Sequence, residues 1–209
     1  VSWVQTVNIM AAPGSDPRPK NRLITGKPCL SYRPDIRATP WEGQELIQPT
    51  QIAYIAGFLD GDGSIIMQLK PRKDYVYGFQ IKATVSFFQR RENRCVLEYI
   101  QSLLGVGAIR NRPDGISEYN IEGLEPAKQV LELVRPYVIL KRQLLVQAPS
   151  IIDELLNDPK PSPTKFLELA KRVERCQALN YSKKGKHTSE DVGRFLSSKG
   201  LLAPVTTED

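Results

Sequence analysis

Tyr54-Ile55-Ala56-Gly57-Phe58-Leu59-Asp60-Gly61-Asp62-Gly63-Ser64 is the stretch from which the fold is read. It completes an apolar helix that Pro49-Thr50 caps, that runs through Ile52, Ala53, Ile55, Ala56, Phe58 and Leu59, and that stops at Gly61 and Gly63. Ala53, Gly57 and Gly61 fall at i, i+4 and i+8, a stripe nearly free of side chains along which a second helix can approach closely. Such spacing also occurs in helices that merely pack inside a core. Asp60 and Asp62 sharpen the reading, because the helix macrodipole disfavours carboxylates at a C-terminus by roughly 0.3–1 kcal/mol each. If two copies of the helix pack about a two-fold axis, their terminal carboxylates converge and require protons or cations.

Outward from this helix, Ile65, Met67 and Leu69 alternate with Ile66, Gln68, Lys70 and Arg72, the period of a strand with one core face. Pro71, Asp74 and Gly78 form a loop, and a second strand from about Phe79 to Phe88 sets Phe79, Ile81, Ala83, Val85 and Phe87 against Gln80, Lys82, Thr84 and Ser86. A helix over 92–104 follows, then short strands at 107–112 and 116–121 around Pro113-Asp114-Gly115, a turn signal, and a helix over 125–134. This order, helix-strand-strand-helix-strand-strand-helix, predicts an α+β fold with four strands in an antiparallel or mixed sheet, helices on its apolar face. Further helices are expected near 142–156, 163–179 and 189–198, and no second copy of the helix-strand-strand unit is visible.

The domain is therefore placed at 49–200, with an extension at 1–48 and a tail at 201–209. Residues 1–48 are rich in proline, glycine and scattered charge and show no sustained period. Position 1 is Val rather than Met, and the excess of basic over acidic residues there suits an organelle transit peptide as well as a functionless leader. No run approaches the roughly 20 apolar residues of a membrane-spanning helix, and no secretory signal opens the chain, so a soluble, non-secreted protein is expected.

Composition narrows the chemistry. The 209 residues carry 29 Lys and Arg against 23 Asp and Glu, a formal charge of +6 that favours a polyanionic partner. Cys29, Cys95 and Cys176 lie far apart, without the CxxC pairs of a zinc site. His187 is the only histidine, so a Ser-His-Asp triad or a histidine-rich metal centre would have to be built around one imidazole. Hydrolysis must lean on carboxylates, metal, and lysine or arginine.

YIAGFLDGDGSI resembles the motif of the LAGLIDADG homing endonucleases, in particular the single-motif members that act as homodimers. The likeness runs from about Pro49 to Ser198 and takes in Gln89-Arg90, Gly105-Val106-Gly107, Arg110 and Arg112, Pro136-Tyr137 leading to Lys141, and Ala178-Leu179-Asn180-Tyr181-Ser182-Lys183. The resemblance implies the αββαββα fold with a saddle-shaped DNA-binding sheet. It also implies a group I intron-encoded, site-specific nuclease that cuts both strands of a long pseudo-palindromic DNA site, leaves short 3′ overhangs, and resides in a chloroplast or mitochondrion. Asp62 is then the metal ligand from each subunit, with the Gly61 carbonyl adding an oxygen, and all-oxygen ligation suits Mg²⁺, or Mn²⁺. Asp60 resembles the acid that caps the partner helix or tunes the site, and Ala53, Ala56, Gly57, Asp60 and Gly61 form the dimer contact. Gln89 and Lys141 match residues that order the attacking water. Relatives often carry a basic residue four positions after that glutamine; here it is Asn93, leaving Arg90, Arg91 or Arg94 as substitutes.

A twisted antiparallel sheet fits the major groove, and its polar face offers Ile66, Gln68, Lys70, Arg72, Gln80, Lys82, Thr84 and Ser86, joined by Tyr75, Arg110 and Arg112, with no acid among them. A solvated sheet face would alternate in the same way. Lys183, Lys184, Lys186 and His187 read as phosphate contacts from a basic loop. Two rivals stand beside the nuclease: an intron RNA-binding maturase of the same family, and a non-catalytic transcription regulator, for which no helix-turn-helix is visible. Retention of both acids beside a polyanion favours cleavage.

Overall fold

A computed structural model describes residues 47–180 and 186–202, and the expected extension and tail fall almost wholly outside them. Among the described residues the order is α1 (Pro49–Asp62), β1 (Gly63–Pro71), β2 (Phe79–Arg90), a 3-10 turn (Arg91–Asn93), α2 (Arg94–Leu104), β3 (Ala108–Asn111), β4 (Ile116–Glu122), α3 (Leu124–Val134), α4 (Arg142–Asn157), α5 (Pro163–Ala178) and α6 (Ser189–Ser198). The strands form one sheet in the order β1-β2-β4-β3, and every pairing is antiparallel, which decides between the two sheet types left open by the sequence.

Two local expectations need correction at α1. The N-cap is Gln48, whose N–H donates to Gln51 Oε1 at 2.8 Å, while Pro49 occupies the first helical turn where its missing N–H costs nothing. At the other end the helix continues through Gly61 to Asp62 and breaks only at Gly63. A Cβ at Gly63 would lie 2.8 Å from both Leu59 Cα and Leu59 O, so only glycine lets the chain turn so sharply from helix into strand.

The period-two pattern holds through the sheet. Ile65, Met67 and Leu69 of β1, Ile81, Ala83, Val85 and Phe87 of β2, and Tyr119 and Ile121 of β4 are buried on one face. Ile55, Ala56 and Leu59 of α1, Leu97, Ile100 and Leu104 of α2, and Val130, Leu131 and Val134 of α3 complete the cluster on that side. Helices α4 to α6 extend the same core, and Ile47, Leu201 and Leu202, outside the boundaries drawn from sequence, pack against it. Burial of this apolar surface is the main stabilising term, and it leaves the other sheet face open.

The outer edge of β1 is closed by side chains from the end of α5. Gln177 Nε2 donates to Met67 O at 3.0 Å and Asn180 Nδ2 donates to Ile65 O at 2.9 Å. These amides satisfy carbonyls that an uncovered edge strand would offer to another chain.

Candidate active site and nucleic-acid interface

The C-terminus of α1 is tied to the segment that enters α4. Asp60 accepts from the N–H groups of Ile139 (2.7 Å), Leu140 (3.1 Å) and Lys141 (3.1 Å), and Lys141 Nζ donates to the Asp60 carbonyl at 2.6 Å. Within its own chain the Asp60 carboxylate holds residues 139–141, the segment that leads into α4, beside the expected role of capping a partner's helix or tuning the site. This contact also removes half of the electrostatic conflict at the helix end, because three amide dipoles and an ammonium offset the Asp60 charge. Asp62 keeps no such partner among the described hydrogen bonds and ion pairs. It is exposed, as is Gly61 beside it.

Lys141 lies within electrostatic reach of both acids. Partial burial nevertheless pushes its ammonium below the ordinary lysine range, against the pull of Asp60 and Asp62 in the other direction. Gln89 arrives at the same end of the sheet through strand register. Gly63 pairs with Phe87, so Asp62 lies one residue and Gln89 two residues beyond the end of the β1–β2 ladder, with Gln89 still paired to Ser117 of β4. The Gln89 Oε1 accepts from the Arg90 N–H at 2.9 Å. Of the three arginines left open by Asn93, Arg91 donates to the Arg112 carbonyl at 2.6 Å, and Arg94 bonds Glu98 at 2.7 Å and Asn111 at 2.9 Å. Among the described residues the Arg90 guanidinium holds only a 3.7 Å ion pair with Glu92, with its side chain 76% exposed.

On the small-residue stripe of α1, Gly57 and Gly61 are exposed and Ala53 is half-buried. A Cβ added at either glycine would meet nothing within 4 Å. Ala56 does not belong to this stripe. It is fully buried on the core-facing side with Ile55 and Leu59, since a residue one position from Gly57 is rotated about 100° around the helix. Beside the stripe, the residues that Asp60 holds include Ile139, 85% exposed, and Leu140, 61% exposed.

On the open sheet face, register sets Gln68 opposite Lys82, Lys70 opposite Gln80, and Ile66 opposite Thr84. Ser86 is corrected as a surface group, because it is buried and its hydroxyl donates to Asn120 Oδ1 at 2.6 Å. The sequence reading also missed acids on this face. Lys82 pairs with Glu122 at 2.6 Å, Arg110 pairs with Glu118, and Arg112 pairs with Asp114 at 2.8 Å and Glu118 at 3.8 Å. The alternation of β4 carried the signal: with Tyr119 and Ile121 in the core, Glu118, Asn120 and Glu122 must point the other way. Lys186 and His187 line a cleft of about 290 Å³ with Gln68, Lys70 and Gln177, placing the basic loop's end beside β1. Lys183 and Lys184 lie outside the described residues.

Residues 55–145 match the LAGLIDADG endonuclease family. DNA endonuclease I-CreI of Chlamydomonas reinhardtii is 37% identical over 147 residues, covering 70% of this chain and 89% of the relative. DNA endonuclease I-CvuI of Chlorella vulgaris is 33% identical over 160 residues, covering 74% of this chain and 98% of the relative. The chain belongs to the LAGLIDADG homing endonucleases. A crystal structure of I-CvuI bound to the I-CreI target in 2 mM Mg, with the DNA not cleaved, matches at a TM-score of 0.69 with 32% identity, over 74% of this chain and 97% of that one. I-CvuI with its own target in 2 mM Ca matches equally well. The archaeal intron-encoded I-Vdi141I shares the fold at a TM-score of 0.66 and 21% identity, over 73% of this chain and 98% of that one.

The donors at the α1 terminus fit a hard divalent cation of the kind present in those structures. An exposed carboxylate on Asp62 and the Gly61 carbonyl, among the last four of the helix and so without an i+4 partner, are both oxygen ligands. They are too few to enclose an ion alone, and among the described residues no cluster of three His, Cys, Asp or Glu side chains could do so. The described residues also include no helix long and apolar enough to cross a membrane.

Proposed function

We propose that this LAGLIDADG endonuclease cuts both strands of a long, pseudo-palindromic double-stranded DNA site as a symmetric homodimer, in an organelle, with Mg²⁺ as the working cation. The observation that carries this is the empty flank of α1. Gly57 and Gly61 have no neighbour that demands glycine, and each costs roughly 1 kcal/mol of helix propensity relative to alanine. A second α1 on the same stripe supplies the missing reason, with the exposed Ile139 and Leu140 continuing the apolar contact. Two Asp62 carboxylates and two Gly61 carbonyls would then meet at one place, the oxygen donors that would hold a hard divalent cation.

Asp62 and the Gly61 carbonyl would hold the cation, which would supply activation of water and neutralisation of charge on the phosphate and the leaving 3′ oxygen. Lys141, its Nζ fixed on the Asp60 carbonyl, stands at the edge of that site with a proton made easier to lose by burial. Gln89 orients water through its amide, and Arg90 is the arginine left to meet the scissile phosphate. The open face, with Ile66, Gln68, Lys70, Arg72, Tyr75, Gln80, Lys82, Thr84, Arg110 and Arg112, reads the major groove; Lys183 and Lys186 contact phosphates. The relatives favour this reading over an intron RNA-binding cofactor.

The deciding experiment is cleavage of a randomised duplex library with Mg²⁺ by the full chain and by Asp62→Asn. A recoverable two-fold-related site set, cut by the wild type and reduced at least about a thousandfold in the variant while binding persists, supports the proposal. Equal cleavage by the variant refutes the role of Asp62, and a monomer on DNA refutes the shared site.

A further inference from the structure

The tip of the β1–β2 hairpin contains an arginine whose donors are already divided. Arg72 Nε donates to Asp74 Oδ1 at 2.9 Å and Nη2 donates to Asp74 Oδ2 at 2.8 Å, a fork-to-fork contact two residues apart in sequence. The guanidinium carbon also stands 5.3 Å from the centre of the Tyr75 ring, within cation–π range. A guanidinium has five N–H donors; two go to Asp74, and the three left lie on the end formed by Nη1 and Nη2. That free end carries the pair of parallel donors that guanine O6 and N7 accept in the major groove.

The backbone holding this group is rigid by construction. Arg72 N–H donates to Gly78 O at 2.8 Å, Tyr75 N–H to Arg72 O at 3.2 Å, and Gly78 N–H to Tyr75 O at 2.9 Å. The Tyr77 hydroxyl donates to Pro161 O at 2.6 Å and its ring lies 5.1 Å from Phe166, which roots the tip on α5. The pair adds little to fold stability, since its side chains are 47% and 64% exposed. Its effect is on orientation: the fork to Asp74 biases Arg72 toward the rotamer that turns its free end outward, and so lowers the ordering cost of reading a base.

We propose that Asp74 is a positioning residue that presents Arg72 edge-on as a guanine reader at the outer end of each half-site. The inference rests on the open sheet face being the DNA surface. Nine residues of extended chain separate Gly63 from Arg72, so the reader sits roughly 30 Å from the Asp62 end, about nine base pairs along the duplex. Asp74 has a second consequence. A carboxylate at the tip repels phosphates, so the pair favours a base edge over the backbone.

The test is a cleavage-specificity profile of the full chain on the randomised library, run with Asp74→Ala, Arg72→Ala and Arg72→Lys. The wild type is expected to prefer guanine at one symmetric pair of outer positions. Asp74→Ala and Arg72→Ala lose that preference by between about fivefold and a hundredfold, with the other positions and the melting temperature unchanged; Arg72→Lys, whose ammonium can still donate to guanine O6 and N7 but offers no fork for Asp74 to hold, loses less than Arg72→Ala. Retention of the guanine preference in Asp74→Ala overturns the proposal, as does a wild type indifferent at every outer position. A uniform gain in affinity of Asp74→Ala for all duplexes, with a salt slope steeper by about 0.9, would make Arg72 a phosphate contact instead. A wild type that selects no site at all overturns both this inference and the DNA reading beneath it.

Discussion

Asp60 and Lys141 are bonded reciprocally: the Asp60 carboxylate accepts the Lys141 N–H at 3.1 Å, and the Lys141 ammonium donates to the Asp60 carbonyl at 2.6 Å. The two ends of this exchange have different purposes. The carboxylate organises the backbone that starts α4, whereas the ammonium is held beside Asp62, where burial depresses its proton affinity.

Substitutions on the two sides should therefore separate stability from cleavage. Asp60→Ala leaves three N–H groups without their acceptor and is expected to cost about 1–3 kcal/mol in urea unfolding. Lys141→Met keeps the apolar stem and removes an ammonium whose burial is unfavourable, so stability should hold while cleavage falls about a hundredfold or more. The pH dependence has a definite sign. The folded pKa of Lys141 lies below its unfolded value of 10.5, so over that window the unfolded chain binds more protons and this lysine makes stability rise with pH. Comparing unfolding from pH 8 to 10 in wild type and Lys141→Met would detect this rise as a difference between the two.

Gly57→Leu should leave the fold of the chain intact, because its Cβ meets nothing within 4 Å and leucine is the better helix former. On the proposed interface the same side chain would force two α1 helices apart. Analytical ultracentrifugation should show at least a hundredfold weaker self-association, with helix content by circular dichroism unchanged. Unaltered association would remove α1 from the interface.

Gly78 and Gly115 provide a paired stability measurement. Both have left-handed backbone, with φ of 68° and 83°, but a Cβ at Gly78 would lie 2.5 Å from the Phe195 ring while one at Gly115 meets open space. Gly115→Ala should cost about 1–2 kcal/mol from backbone conformation alone. Gly78→Ala adds about 1–3 kcal/mol of overpacking against α6, and denaturant midpoints of the two variants measure that difference.

Cys176 supplies an alkaline signature. Burial pushes its thiol up to about 11 from 9.0, so above pH 9 the unfolded chain loses a proton that the folded chain keeps. Its contribution to stability is full below pH 9 and declines up to about pH 11, with a slope of at most about 1.4 kcal/mol per pH unit. Cys176→Ala should flatten that decline in thermal melts. Native protein at pH 8 should also be alkylated by iodoacetamide at the partly exposed Cys95 well before Cys176.

Much of this protein follows from local pattern. Alternation from Ile65 to Leu69 and from Phe79 to Phe87, the apolar face of α1, and the Pro113-Asp114-Gly115 turn depend on neighbours along the chain, and each element formed within a residue or two of its expected place. The motif acids at the end of α1 were legible for the same reason: charge against a helix dipole is visible in sequence. Which acid resolves that conflict internally was decided by folding, since the four donors that Asp60 accepts from come from Ile139 to Lys141, about 80 residues away. The same holds for Glu118 and Glu122, whose partners Arg110, Arg112 and Lys82 meet them only across strands, and for Ala56 and Ser86, which packing removes from the surface. Helical and strand periods are properties of the chain's own geometry; pairing of charges and availability of a side chain are properties of the space between elements, which only the tertiary structure creates.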